Sequence, residues 1–298
     1  MGRPKTKEVT MTARSRTTRC GLGVILLVSG AMMLMTPVFA GDANANFLRL
    51  AANTVGVSDA IPLLVKKDGP VRESPSKRKP HNSPRDSEEF TTDVRIEDCT
   101  YSATGRNPYF SVNPGDVLVF AGGGTDLQIT VLNETRDISF VTARGVQLTV
   151  TTRVVEERES QDGVLVEVSR NFFARCQETN NINYFGEDVQ IFENGGISTA
   201  GSWLAGTDGA LPGLIMPGSF LLGSRYFQEQ APGVALDRSE HIAMGLTVTV
   251  PAGTFEDCVE VVETTPLERG ARTTKVYCPG IGLVDDNEVQ LVSFTIAP

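Results

Sequence analysis

The chain has 298 residues, with 36 Asp/Glu against 27 Lys/Arg, a formal charge of −9 and two histidines. So acidic a chain repels phosphate backbones and anionic membranes, which argues against nucleic acid as a partner. With His81 in a proline-rich stretch, only His241 is left for any imidazole-based catalytic set, and no GxSxG elbow accompanies it.

Arg3, Lys5, Lys7, Arg14, Arg16 and Arg19 precede an uncharged apolar run, Gly21 to Met35, followed by Val38-Phe39-Ala40. This is the pattern of a signal peptide over residues 1–40, cut after Ala40. The run is shorter than the ~20 residues a membrane span needs, and Pro37 interrupts it. A secreted or periplasmic chain with no stable span after cleavage is expected. Residues 1–40 carry six Lys/Arg and one Glu, so cleavage takes the net charge from −9 to −14.

Residues 41–65 read as a short, weakly helical N-terminal segment. Residues 66–95 differ in kind, because Pro70, Pro75, Pro80 and Pro84 recur there among charged residues and serines. That composition buries too little apolar surface to offset its ordering entropy, so a disordered linker is predicted.

From residue 96 to 298 the pattern is β. Val117-Leu-Val-Phe120 is a short apolar run. Leu127, Ile129 and Val131 alternate with polar residues, as do Val146, Leu148 and Val150, and Val164, Val166 and Val168. Gly122-Gly-Gly124, Asn133-Glu-Thr-Arg-Asp137, Arg144-Gly145 and Gln161-Asp-Gly163 fall between these runs as turn signals. Further strands are predicted near 183–192, 224–230, 242–250, 254–264, 272–278 and 288–296. About ten to twelve strands in roughly 200 residues predict an all-β domain. Its sheet would be single, antiparallel and curled, half-barrel or barrel-like, or else a sandwich, with a long Gly/Pro-rich covering loop.

That loop is Gly201 to Pro217, which is apolar, aperiodic and holds the only tryptophan, Trp203. It reads as a lid over an apolar ligand or as a plug. The candidate ligand-binding residues are Trp203, Leu211 and Met216 from the loop, with Tyr184 and Tyr226 from the strands beside it.

Four cysteines remain after cleavage, and an even number in an exported chain implies disulfides with three possible connectivities. If Thr265 faces Ala271 across the turn at Pro266–Gly270, counting outward places Cys258 opposite Cys278. Cys99 then pairs with Cys176. No cofactor is expected, since Gly122-Gly-Gly124 lacks the lysine of a phosphate loop and no cysteines have zinc-ligand spacing.

Carboxylates are numerous enough for acid–base work. Asn183-Tyr-Phe-Gly-Glu187 and Arg225-Tyr-Phe-Gln-Glu229 share a pattern. Period two points Phe185 and Glu187 one way and Tyr184 the other, with the same split at Phe227 and Glu229 against Tyr226. Glu187 and Glu229 would then lie on one face beneath Asp208, making these three the catalytic candidates for a carboxylate-dependent hydrolase. Asp208 is equally a candidate Ca²⁺ ligand. A purely structural role for the acids is the competing expectation.

Asn107-Pro-Tyr-Phe-Ser-Val-Asn-Pro-Gly115, Tyr184-Phe-Gly-Glu187, Gly201–Pro217 and Tyr226-Phe-Gln-Glu229 stand in that order along the chain. Together they resemble the "NPYFPL-x-PG", "YFGE", "GSW-x-AG-x-DGA-x-PG-IMP" and "Y-x-QE" segments of a family of exported bacterial proteins of unknown function. The resemblance implies no activity. It differs at Cys176, where that family often has an acid, which fits a lineage-specific disulfide. Val250–Cys258 and Tyr277–Val284 are also similar to the end of half-barrel envelope proteins that resemble lipoprotein carriers. That likeness implies a concave sheet for acyl chains. The expected function is a non-enzymatic exported β-domain binding an apolar, lipid-like ligand or an envelope protein partner.

Overall fold

The computed structural model describes residues 90–193 and 195–298, so the predicted signal peptide, N-terminal segment and linker to residue 89 lie outside the described residues. Among the described residues, a three-residue 3-10 turn at Ile96–Asp98 precedes fifteen strands. The first seven are β1 (Tyr101–Ser102), β2 (Val117–Gly122), β3 (Thr125–Val141), β4 (Gln147–Gln161), β5 (Val164–Cys176), β6 (Ile182–Glu193) and β7 (Gly196–Ser198). Three short ones follow, β8 (Trp203–Leu204), β9 (Gly213–Met216) and β10 (Arg225–Phe227). The last five are β11 (Arg238–Val250), β12 (Gly253–Thr264), β13 (Arg272–Cys278), β14 (Gly282–Asp286) and β15 (Val289–Thr295).

All belong to one antiparallel sheet of order β10-β11-β12-β13-β14-β15-β2-β3-β4-β5-β6-β7, with β1 on β5 and both β8 and β9 on β6. The sheet curls without closing into a barrel, as the alternating apolar pattern predicts for one face folded over a core. The curl is deep enough that Glu157 on β4 feels the charge of Lys275 on β13, although four strands separate them along the sheet.

Two predicted boundaries change. Asn133–Asp137 is no turn, because β3 runs through it. Between the pairs Val131–Val155 and Thr135–Arg153, β3 advances four residues while β4 advances two. The Arg153 guanidinium fills the resulting bulge, donating to the carbonyls of Leu132 (3.3 Å), Glu134 (3.2 Å) and Ala103 (2.8 Å). An irregularity that polar residues announce is thus satisfied by a side chain from the next strand. At the other boundary, residues 90–95 are held against the sheet rather than belonging to the linker. Thr91 bridges Tyr226, and Asp93 meets Arg144 at 2.6 Å.

Both disulfides form as predicted. Val259 faces Tyr277 and Thr264 faces Arg272, so the counted register brings Cys258 to Cys278 with Cα atoms 4.2 Å apart. Cys99 joins Cys176 at the end of β5 and ties the entering chain to the sheet.

Candidate functional site

The 201–217 segment runs along the seam of the sheet. Glu187 and Gly186 of β6 pair with Trp203 and Leu204, and Tyr184 to Ile182 pair with Gly213 to Met216. On its far side the Leu211 N–H donates to the Gln230 carbonyl (2.9 Å), just beyond β10 at the opposite end of the sheet. Gly213 makes this approach possible, because a Cβ there would lie 2.1 Å from the Gln228 carbonyl oxygen. Between the two paired stretches the chain turns at Gly206 and Asp208, both at positive φ.

The space beneath Trp203 is filled by protein. Its indole meets Tyr184 edge-on at 5.1 Å, and Tyr184 packs on Phe173 at 4.6 Å. Of the candidate ligand-binding residues, Trp203, Tyr184, Met216 and Tyr226 are buried, while Leu211 is half-buried in the bridge to Gln230.

Period two fails at both Tyr-Phe-x-Glu segments. In β6, Glu187 faces Asn171 while Tyr184 faces Phe173, so one extra residue bulges out at Phe185-Gly186. The bulge brings Tyr184 and Glu187 to the same inner face, where the Tyr184 hydroxyl bonds Asn171 and also reaches the Glu187 carboxyl. Phe185 goes to the other face, against Tyr101 and Phe140. β10 ends at Phe227, which frees Gln228 and Glu229 from alternation and buries both. Glu187 and Glu229 are both fully buried, and the charge of Glu187 reaches Glu229. Asp208 does not join them; it is exposed in its turn.

The interior holds more acids than the two motifs announce. On one wall Glu157 and Glu159 of β4 sit opposite Ser169 and Glu167 of β5. Ser169 donates to Glu167 at 2.9 Å and Asn171 to Glu157 at 3.3 Å. On the other wall Lys275 Nζ lies 3.0 Å from Glu263 and 3.7 Å from Asp286, and Gln228 donates to Glu263 at 2.7 Å. Burial pushes Glu157 and Glu167 up to about 7 and Asp286 up to about 6. It drives Glu187 and Glu229, both 0 % exposed, well above the ordinary carboxylate range. Burial alone would lower Lys275, but Asp286 and Glu263 outweigh it and hold the ammonium charged.

Glu229 has an unusual setting. No N–H or O–H donor of the protein satisfies either of its carboxylate oxygens. The neighbouring Asp237 carboxyl, which burial pushes up to about 6, adds to the burial that raises Glu229.

Next to this cluster, His241 is buried. A carbonyl only accepts, so the Nδ1–H donates to Leu221 O (3.0 Å) and Nε2 accepts from the Tyr226 hydroxyl (3.0 Å). Burial takes it down to about 4, so it is a neutral structural group stacked 3.7 Å from Phe220.

For metal ions, the only set of three candidate ligands within 4.8 Å of one another among the described residues is Cys99, Cys176 and Glu178. Its two sulfurs are joined in a disulfide. Neither Asp208 nor the interior acids form such a set. On the outer face of β4–β6, a groove of about 370 Å³ runs past Glu156, Arg158, Arg170 and Asp188. Its charges pair with neighbours, as in Arg136–Asp188 (2.7 Å) and Arg158–Glu156 (3.5 Å).

Asp237, Glu263, Lys275 and Asp286 escape a reading by motif. One signal was available: Lys275 is the sole lysine after Lys79, and it falls in phase with Tyr277. No protein-family model, no curated protein and no solved structure matches the chain.

Proposed function

We propose that this chain is an exported, non-enzymatic β-domain that binds an envelope protein partner on its outer surface. The observation that carries the reading is the sealed, acidic interior: Glu187 and Glu229 are 0 % exposed and Trp203 is 6 % exposed. A polymer substrate has no path to those carboxyls, and an acyl chain gains little among carboxyl groups. Binding is therefore assigned to the surface.

The surface offers an apolar patch. Leu221 and Leu222, 65 % and 57 % exposed, lie on the loop entering β10, and Ile242 and Met244 (39 % and 52 %) project from β11 beside it. The loop is fixed there by the His241 carbonyl, which accepts from Gly223 N (2.9 Å), and by Ser224 O, which accepts from His241 N (3.0 Å). Clustered exposed apolar side chains on a rigid frame are what a protein partner uses. A photo-crosslinking residue at position 222 in the producing cells should yield a discrete protein adduct that the same residue at exposed Val164 does not. Identical adducts at both sites, or none at 222, would refute the patch.

One observation favours a second reading, a carboxylate-dependent hydrolase: Glu187 and Glu229 are both fully buried and the charge of Glu187 reaches Glu229. That reading requires Glu187→Gln to abolish a hydrolytic activity of the purified protein while its melting temperature holds. A wild-type protein inert towards envelope polysaccharides and peptides removes it.

A further inference from the structure

Both terminal strands of the sheet are short: β7 and β10 have three residues each, and β10 pairs only Arg238–Glu240 of the much longer β11. Past His241, whose backbone bonds Gly223 and Ser224, no hydrogen bond reaches the side of β11 away from β12 among the described residues. An uncovered edge is normally guarded by charged side chains, proline or inserted residues. Here Ile242 to Phe255 carries no charge, and no proline precedes Pro251. β11 has an extra residue between His241 and Ala243 and another between Met244 and Leu246, but none from there to Val250. The next irregularity belongs to β12, at the positive φ of Asp257. Leu246–Val250 is thus a regular, uncharged and unpaired edge. Thr247 and Thr249 on it are exposed, Leu246 and Val248 pack half-buried on the core, and Val250 is buried.

We propose that this edge pairs with the same edge of a second copy of the chain, antiparallel about a two-fold axis at Val248. Leu246 then faces Val250 of the second copy, Thr247 faces its Thr249, and Val248 faces its Val248. The order Leu-Thr-Val-Thr-Val makes the stretch complementary to itself. Threonine meets threonine on the solvent side, and branched aliphatic meets branched aliphatic on the core side.

Charge permits this contact where most of the surface forbids it. The chain carries −9 formally, so two copies repel wherever acids face acids. The β11 edge opposes no like charges, and each copy supplies the N–H and C=O partners the other lacks. So short a pairing buries less than the ~1,200 Å² of a standard interface, which makes the dimer weak and dependent on concentration. Pairing confined to residues 246–250 leaves Leu221 and Leu222 to a partner protein, so the two contacts stand or fall separately.

The test is the solution mass of the purified full chain by light scattering. It should climb from that of one copy at about 5 µM towards that of two at about 1 mM. Hydrogen exchange across residues 246–250 should slow at least about twofold over the same range, while 221–222 stays unchanged. Thr247→Glu with Thr249→Glu sets glutamates opposite glutamates and should hold the chain at one copy; both threonines are exposed, so the fold tolerates the change. Thr247→Lys with Thr249→Lys should do the same alone, and it serves if the first pair fails to fold. Mixing the two variants should restore a dimer of one of each, which general destabilisation would not do. A wild-type chain that stays at one copy at about 1 mM overturns the proposal, as does a dimer that survives the glutamates or a mixture that stays unpaired. Exchange that slows at 221–222 in place of 246–250 would also overturn it, by making the apolar patch the contact between copies.

Discussion

Gly213→Ala probes the seam directly. The new Cβ would stand 2.1 Å from the Gln228 carbonyl oxygen, 2.4 Å from its carbon and 2.7 Å from Glu229 N. Ordinary contact begins at 3.4 Å, so one strand must retreat by about 1.3 Å. All three atoms are backbone, so no side chain can swing aside. Such a retreat breaks the Leu211–Gln230 bridge, and overpacking of this kind costs about 1–3 kcal/mol, with the lost hydrogen bond adding about 1. Gly209→Ala is the control. It lies in the same loop and, unlike Gly213, has a positive φ of 80°, but its Cβ meets nothing within 4 Å. Its cost should be about 1 kcal/mol, from backbone strain alone. Equilibrium urea unfolding of the two variants separates the effects. If Gly213→Ala is no more destabilising than Gly209→Ala, the seam is not a packed junction and the reasoning fails.

Other outcomes follow from the same interior. Glu167→Gln should leave stability near pH 4 unchanged and raise it near pH 8 by up to about 3 kcal/mol, since burial lifts Glu167 from 4.5 to about 7; no gain at pH 8 would contradict the shift. Intact mass should increase by about four protons on reduction, and the loops closed, 20 and 77 residues, predict losses of about 3 and about 4.5 kcal/mol for Cys258→Ser and Cys99→Ser. An unchanged mass would exclude both bonds. Tyr226→Phe removes the donor to buried His241 Nε2 and should cost about 1–3 kcal/mol by urea unfolding, whereas a neutral substitution would place that histidine elsewhere.

The strands and both disulfides were legible because alternation and register are local, periodic properties. The match of Cys258 to Cys278 needed only one correct turn. What period two could not reveal were its interruptions. Gly186 hides a bulge that turns Tyr184 and Glu187 to one face, and Arg153 hides a bulge that keeps β3 continuous through Asn133–Asp137. Both depend on partners distant in sequence. The loop was recognisable as special from its glycines and Trp203, but its role as a seam depends on Gln228–Gln230 meeting it from the other end of the sheet. The repeated Tyr-Phe-x-Glu pattern singled out Glu187 and Glu229, but the alternation behind it does not hold at either segment, where a bulge and a strand end bury both acids. Asp237, whose charge reaches Glu229, was not legible, because no local signal ties a residue after a loop to one before it. Asp208 was misplaced above them for a simple reason: a positive φ turn in a polar Thr-Asp-Gly stretch points to solvent.

The central claim is that protons, held in a sealed interior, keep the acids neutral. Carboxyls raised above their unfolded values stabilise the fold fully below about pH 4.5 relative to higher pH, and that contribution is lost as pH climbs through the folded values near 6 to 7. The direct measurement is the urea unfolding free energy of the native domain at a series of pH values from about 5 to about 8. The account predicts a steady fall of several kcal/mol across that range. A stability that is flat, or that rises towards pH 8 as for a domain of ordinary surface carboxylates, would contradict it.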